Sequence, residues 1–317
     1  MMRQQDNTLM FSWRLLRALI TPPRPSPLVR RLLFLSAVDS YALPRPRGTM
    51  RRALQILILI VMPLAAIFFL FPVITLLYIS TLSYAPILLA LVNSTFGAIL
   101  AASVAGAIAR EHDLRTYDLL STVPGGRFGL HFSYCRSWIM QHRTYFWFVL
   151  PFVVIGMFGL MLGLGLEPVF RYPGVGDGIT LGTLAQRGAL IAAYGIDVVH
   201  SFVAAAVIGM WLPSDASARG TAWVSAIGAY GLVQMTAYLT LFAFGTVLMP
   251  MFGSMFGSTP IMQIGFSILM IASFFAVREA SIVLIWREMG QHLNASADEI
   301  DPRGKWLSPS KNIAEYN

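Results

Sequence analysis

Asp197 and His200 stand three residues apart, and Arg278 and Glu279 side by side, each pair inside a long apolar block of the 317-residue chain. An ionised group in hydrocarbon is expensive, so such residues either line a polar or proton pathway or neutralise one another. A spacing of three puts Asp197 and His200 on one helical face. If the two blocks adjoin, Asp197 can pair with Arg278 in low dielectric and set helix register, and both the pathway and the structural-pair readings stay open. Other chemistry is thinly supplied. His112, His131, His142, His200 and His292 contain no pair at i,i+3 or i,i+4 spacing, so no helical metal motif is expected. No Gly-x-x-x-x-Gly-Lys-[Ser/Thr] loop occurs, which removes the usual ATP cradle from this chain. A single cysteine, Cys135, excludes an intramolecular disulfide. The expectation is a chain with no catalytic constellation, no metal and no cofactor of its own.

The elements that must carry these residues are membrane spans. Hydrophobic residues make up 56% of the chain and charged ones 12%, about half the charge fraction of a soluble domain. Six blocks of about 20 residues or more are long enough to cross some 30 Å of hydrocarbon. They fall near 53–78, 86–109, 144–166, 183–212, 221–249 and 261–286, giving an all-α, polytopic helix bundle over 53–290. Pro63, Pro72 and Pro151 can kink their helices without excluding them, and Gly156, Gly159, Gly163 and Gly165 offer small-residue spacing for close helix approach. Ahead of the spans, residues 1–52 read as a membrane-surface region. Leu9 to Ile20 is expected to lie in the interface with Arg14 and Arg17 reaching the headgroups, the alternative being a loosely ordered basic tail. Residues 291–317 form a polar tail of unreadable role.

Loop charge orients the bundle. Twenty of the 23 Lys and Arg residues fall in the segments on one side, against Arg171 and Arg187 on the other. By the positive-inside rule both termini are cytoplasmic, in a multi-pass protein of the cell membrane. The loop holding the Met-Phe-Gly-Ser repeat, 250–260, suits a short re-entrant or interfacial hairpin. Arg127, His131 and Arg136 alternate with Phe128, Phe132, Tyr134 and Trp138, a mixture that a segment at headgroup level explains better than nucleic-acid binding. Val123 to Gly129 reads as a turn.

Between the second and third spans, segment 109–143 opens with a polar insertion whose Glu111, Asp113 and Asp118 mix with Arg110 and Arg115. Asp113 is a plausible N-cap for a short amphipathic helix with Leu114, Tyr117, Leu120 and Val123 on one edge, ended by Pro124-Gly125-Gly126. This segment resembles the one following the second span in permeases of type 2 ATP-binding-cassette (ABC) exporters. Glu111 matches that family's glutamate, Thr116 its threonine, Asp118 its second acid, Leu119 and Leu120 its leucine pair, and Pro124 its proline. Arg115 departs from the pattern, standing where the family usually has glycine, the residue free at positive φ. The resemblance implies a permease subunit that pairs with a second copy or homologue and couples substrate movement to ATP hydrolysed on a separately encoded ABC ATPase. Glu111, Leu114, Thr116, Tyr117, Asp118, Leu119, Leu120 and Pro124 would form the ATPase-docking segment, with Glu111 pairing with a nearby arginine to hold span and helix together. Membrane lipids are the other expected partner, and nucleic acid is not. The alternative is a non-transporting scaffold subunit of a larger membrane complex, its short helix merely resting on the membrane.

Overall fold

A computed structural model describes residues 11–20, 85–121, 126–142, 181–214, 219–248, 251 and 259–295. Every described element is helical: α1 (Phe11–Ile20), α2 (Ala85–Asp113), α3 (Tyr117–Ser121), α4 (Gly126–Gln141), α5 (Leu181–Trp211), α6 (Arg219–Ala243) and α7 (Pro260–His292). A 3₁₀ turn, Leu212–Ser214, follows α5, and a π-turn, Phe244–Leu248, follows α6. Four of these helices are long and apolar enough to cross a membrane, over Ala90–Asp113, Gly188–Trp211, Gly220–Ala243 and Ile261–His292. They match four of the six expected spans, and on their account the chain is a membrane protein. The expected spans 53–78 and 144–166, residues 21–52, most of the 250–260 loop and the tail from 296 lie outside the described residues.

Among the described helices α5 is central, packed between α7 and α2, with α6 laid against α2. Burial follows the same order: 61% of the apolar window of α5 is inside the fold and 50% of that of α2, against 22% for α6 and 17% for α7. Small residues permit the close α2–α5 contact. A side chain at Gly209 would put its Cβ 2.8 Å from the Ala101 carbonyl oxygen and 2.9 Å from Val104 Cβ. The neighbouring run Val203, Ala204, Ala205, Ala206 is wholly buried against the same core. On α6, Val224, Leu232, Met235, Leu239 and Phe242 stand outward at helical spacing, the face such a helix turns to hydrocarbon.

Two expectations are revised. Helix α1 does not merely lie on a surface: Phe11, Leu15 and Leu19, four residues apart, are buried against a core shared with α4, α5 and α7, while Trp13, Arg17 and Ile20 remain exposed. Residues 126–141, expected as a turn and a headgroup-level strip, form α4, with Phe128, Leu130, Phe132, Tyr134, Cys135 and Ile139 buried. What makes this helix core is Trp286 of α7. Its ring makes T-shaped contacts with Phe11, Phe128 and Phe132, with centroids 5.7, 5.0 and 6.4 Å away. Such pairs contribute about 0.5–1.5 kcal/mol each beyond their burial. The basic residues between these aromatics had concealed the apolar stripe.

Candidate functional site

The intramembrane ionisable residues converge. Asp197 of α5 and Arg278 of α7 form a buried ion pair through Oδ1 and Nη2, 3% and 1% exposed. Asp197 also accepts from Asn93 Nδ2 of α2 at 2.6 Å, from the Tyr238 hydroxyl of α6 at 3.0 Å and from Ser201 Oγ one turn along α5 at 3.3 Å. Gln234 extends the network, its amide 2.7 Å from Ser201 Oγ and bonded to the Tyr230 hydroxyl. Four donors nearly saturate a carboxylate, which is how a charge survives in low dielectric. Arg278 is less well served. Its Nε and Nη1 have no partner among the described residues, but its guanidinium lies 5.3 and 5.4 Å from the ring centroids of Tyr238 and Phe274, whose faces attract a cation. All four long helices contribute to this hub.

Beside it sits a second cluster. His200 Nδ1 is 2.9 Å from the Ile196 carbonyl, and its Nε2 is 3.1 Å from both Glu279 Oε2 and Ser12 Oγ. The Ser12 backbone N–H donates to Glu279 Oε1 at 3.1 Å. Helix α1 is thus tied by its first turn to α5 and α7.

At the end of α2 the polar insertion builds a closed corner. Helix α2 runs through Asp113, so Asp113 does not cap a new helix, and α3 begins only at Tyr117. The Arg115 N–H donates to the His112 carbonyl at 3.0 Å and the Thr116 N–H to the Glu111 carbonyl at 3.1 Å, the two bonds of a Schellman stop. Arg115 takes the left-handed conformation that motif requires, φ 55°. Arg115 therefore occupies a position that favours glycine. Thr116 Oγ1 donates to Glu111 Oε2 at 2.5 Å, so Glu111 closes the corner through the threonine.

Tyr117 turns inward. Its hydroxyl is 2.7 Å from His131 Nε2, and His131 Nδ1 is 2.5 Å from the Met210 carbonyl near the end of α5. A carbonyl only accepts, so Nδ1 carries the hydrogen, Nε2 accepts, and Tyr117 donates. Burial enforces these states, pushing the Tyr117 hydroxyl up to about 12 and His131 down to about 4. The His112 ring stacks on Tyr117, centroids 3.7 Å apart. Cys135 is buried in the same core, where desolvation pushes its thiol up and leaves it inert.

Of the expected docking residues, Leu114 and Asp118 are exposed, Glu111 and Thr116 half-buried, and Tyr117 buried. Leu114 and Tyr117 therefore do not share an outward edge. Leu119 and Leu120 belong to α3, but their side chains, like Pro124 and Val123, lie outside the described residues. Sequence reasoning missed Ser12, Asn93, Ser201, Gln234, Tyr238 and His131. Asn93 and Gln234 carried a usable signal, since a primary amide in an apolar block needs a partner as a charge does. Among the described residues no group of three or more His, Cys, Asp or Glu residues is placed to hold a metal. Comparison with protein-family models, curated proteins and solved structures found no match.

Proposed function

We propose that the chain is the permease subunit of an ABC exporter in the cell membrane, moving a substrate on ATP hydrolysed by a separate ATPase that docks on the α2–α3 corner. One observation carries the reading. Past the end of an apolar spanning helix, exposed Leu114 and Asp118 sit on a corner braced by Glu111–Thr116 and linked through Tyr117 and His131 to the end of α5. A partner pushing on that corner would move two central helices as one unit. The same residues carry the resemblance to type 2 exporter permeases. On this proposal both termini and the corner are cytoplasmic, as the loop charge favours, and a second copy or homologue completes the pathway. ATP binds the partner subunit alone.

Leu120→Asp tests it. An unpaired charge in the contact should abolish retention of the ATPase and substrate-stimulated hydrolysis while leaving the permease folded. Unchanged retention and hydrolysis, or no ATPase co-purifying with the wild-type chain, would instead favour a scaffold subunit.

A further inference from the structure

The Asp197–Arg278 hub sets a level against which the depth of other residues in the bilayer can be read. Helices α5 and α7 run the same way, since α4 meets the far end of both, His131 at Met210 and Phe128 at Trp286. About 14 Å of helix separates Arg278 from Arg287 in that direction, and about 15 Å separates Asp197 from Arg187 in the other. Between these two levels the long helices carry no Asp, Glu, Lys or Arg besides the hub pair and Glu279. The interval is close to the ~30 Å of hydrocarbon in a bilayer, which puts the hub near the midplane. Helix α1 meets the bundle inside this interval. Ser12 bonds to Glu279, the residue after Arg278, and to His200, one turn past Asp197, while Phe11 packs on Trp286, next to Arg287.

We propose that α1 is a half-membrane helix whose first turn enters the hydrocarbon on the Arg287 side, where it is capped by Glu279, and whose outward face binds phospholipid. A helix start leaves backbone N–H groups without partners, and hydrocarbon holds no water to satisfy them. Glu279 supplies an acceptor at the positive end of the α1 dipole: its Oε1 takes the Ser12 N–H at 3.1 Å. The Ser12 hydroxyl, 3.1 Å from His200 Nε2, ties the same turn to α5. An acid at this depth is thus explained by the helix end that it serves. Phe11, Leu15 and Leu19 face the protein, and the opposite face carries Trp13, Arg17 and Ile20, with Trp13 54% and Ile20 53% exposed. Trp13 follows Ser12 in the chain and so shares its depth. An indole and a guanidinium one turn apart match a phospholipid, the ring lying among its chains and the long arginine stem carrying the charge to its phosphate. The proposal rests on the chain spanning a bilayer and not on the exporter reading, so either can fail alone.

The test is nitroxide labelling of the full-length chain in phospholipid nanodiscs, with Cys135→Ala to remove the native thiol. Trp13→Cys reports the outward face of α1. Asp118→Cys, exposed past the end of α2, serves as the water reference, and Leu239→Cys, exposed beside Tyr238 of the hub, as the reference at hub depth. Power saturation compares collision with oxygen, which concentrates among acyl chains, and with a water-soluble nickel chelate. The oxygen-to-nickel ratio at Trp13→Cys should stand several-fold above that at Asp118→Cys, on the side of Leu239→Cys. A ratio equal to that at Asp118→Cys places α1 outside the hydrocarbon and overturns the proposal. Screening of Trp13→Cys from both reagents overturns it as well, because protein and not lipid then covers the face. Glu279→Gln keeps an oxygen for the Ser12 N–H and should leave the ratio unchanged, whereas Glu279→Ala removes it and should lower the ratio. An undiminished ratio in a folded Glu279→Ala protein overturns the capping role, and if that variant does not fold, Trp13→Cys in the otherwise native chain still decides.

Discussion

His131 and His200 occupy opposite situations built from the same parts. Both rings are buried, and both give Nδ1–H to a backbone carbonyl, Met210 in one case and Ile196 in the other. They differ at Nε2. His131 meets a tyrosine hydroxyl that donates, so the neutral ring is fully satisfied and burial holds it there. His200 Nε2 meets two partners at 3.1 Å, the Ser12 hydroxyl and a Glu279 carboxylate oxygen, so a possible donor and an acceptor share it. Burial alone thus says little about what a histidine does; the chemistry of the atoms opposite its second nitrogen decides which elements it joins. The first arrangement makes a rigid strut between α3, α4 and α5. The second ties α1 to α5 and α7 through one ring nitrogen shared between two partners.

The largest effect that sharpens this contrast is expected at the neighbouring hub, where both partners are charged. Asp197→Asn leaves the Arg278 guanidinium buried without its counter-ion, and should destabilise the bundle by about 3–5 kcal/mol. Asp197→Asn with Arg278→Met should recover much of that loss, read as thermal unfolding of detergent-solubilised protein. If the single and double variants unfold alike, the pair does not neutralise itself as described.

His131 comes next, and its effect is a dependence on pH. The unfolded chain protonates this residue near 6.5 and the folded chain only near 4, so between those values the unfolded state binds more protons. Stability is lost as pH falls through that window, by up to about 3 kcal/mol. His131→Phe removes two hydrogen bonds and lowers stability at neutral pH, but should remove this part of the acid slope. Global unfolding followed from pH 7 to pH 4 separates the two effects. An unchanged slope in the variant would place the titration elsewhere.

The corner offers two smaller effects of opposite direction. Thr116→Val deletes the hydroxyl that satisfies Glu111 and should cost about 1–2 kcal/mol. Arg115→Gly relieves a left-handed backbone and should gain about 1 kcal/mol. Asn294→Gly, at the matching position after α7 with φ 53°, should gain less, because asparagine tolerates that conformation. Equal gains at both sites would mean that the arginine is not strained. Smallest of all, Leu239→Ala on the outward face of α6 should change stability by less than about 0.5 kcal/mol, as measured by the same thermal unfolding. Leu241, though on the same helix, is a poorer control, since it packs against Ala193, Ala237 and Phe274.

The sequence by itself determined the class of molecule and its costly residues. Apolar blocks of spanning length with few charges have one stable form in hydrocarbon, the helix, so four spans were legible from length and composition. Asp197, His200, Arg278 and Glu279 were legible for the same reason, each being too expensive to face lipid. Helix α4 was not, because its aromatics are interleaved with bases, and only Trp286, far along the chain on α7, turns that stripe into core. Only the tertiary structure decided which charge meets which. Period and spacing place a residue on a face of its own helix, but partners come from helix order and register, which depend on close approaches such as Gly209 against Ala101. Tyr117 shows the cost of reading a face alone. Its spacing suited an outward edge with Leu114, but α2 runs on to Asp113 and a left-handed Arg115 breaks the helical phase, turning the ring inward to His131. Ser12 meeting Glu279 across 267 residues has no local signature at all, since a hydrogen bond selects geometry and not sequence distance.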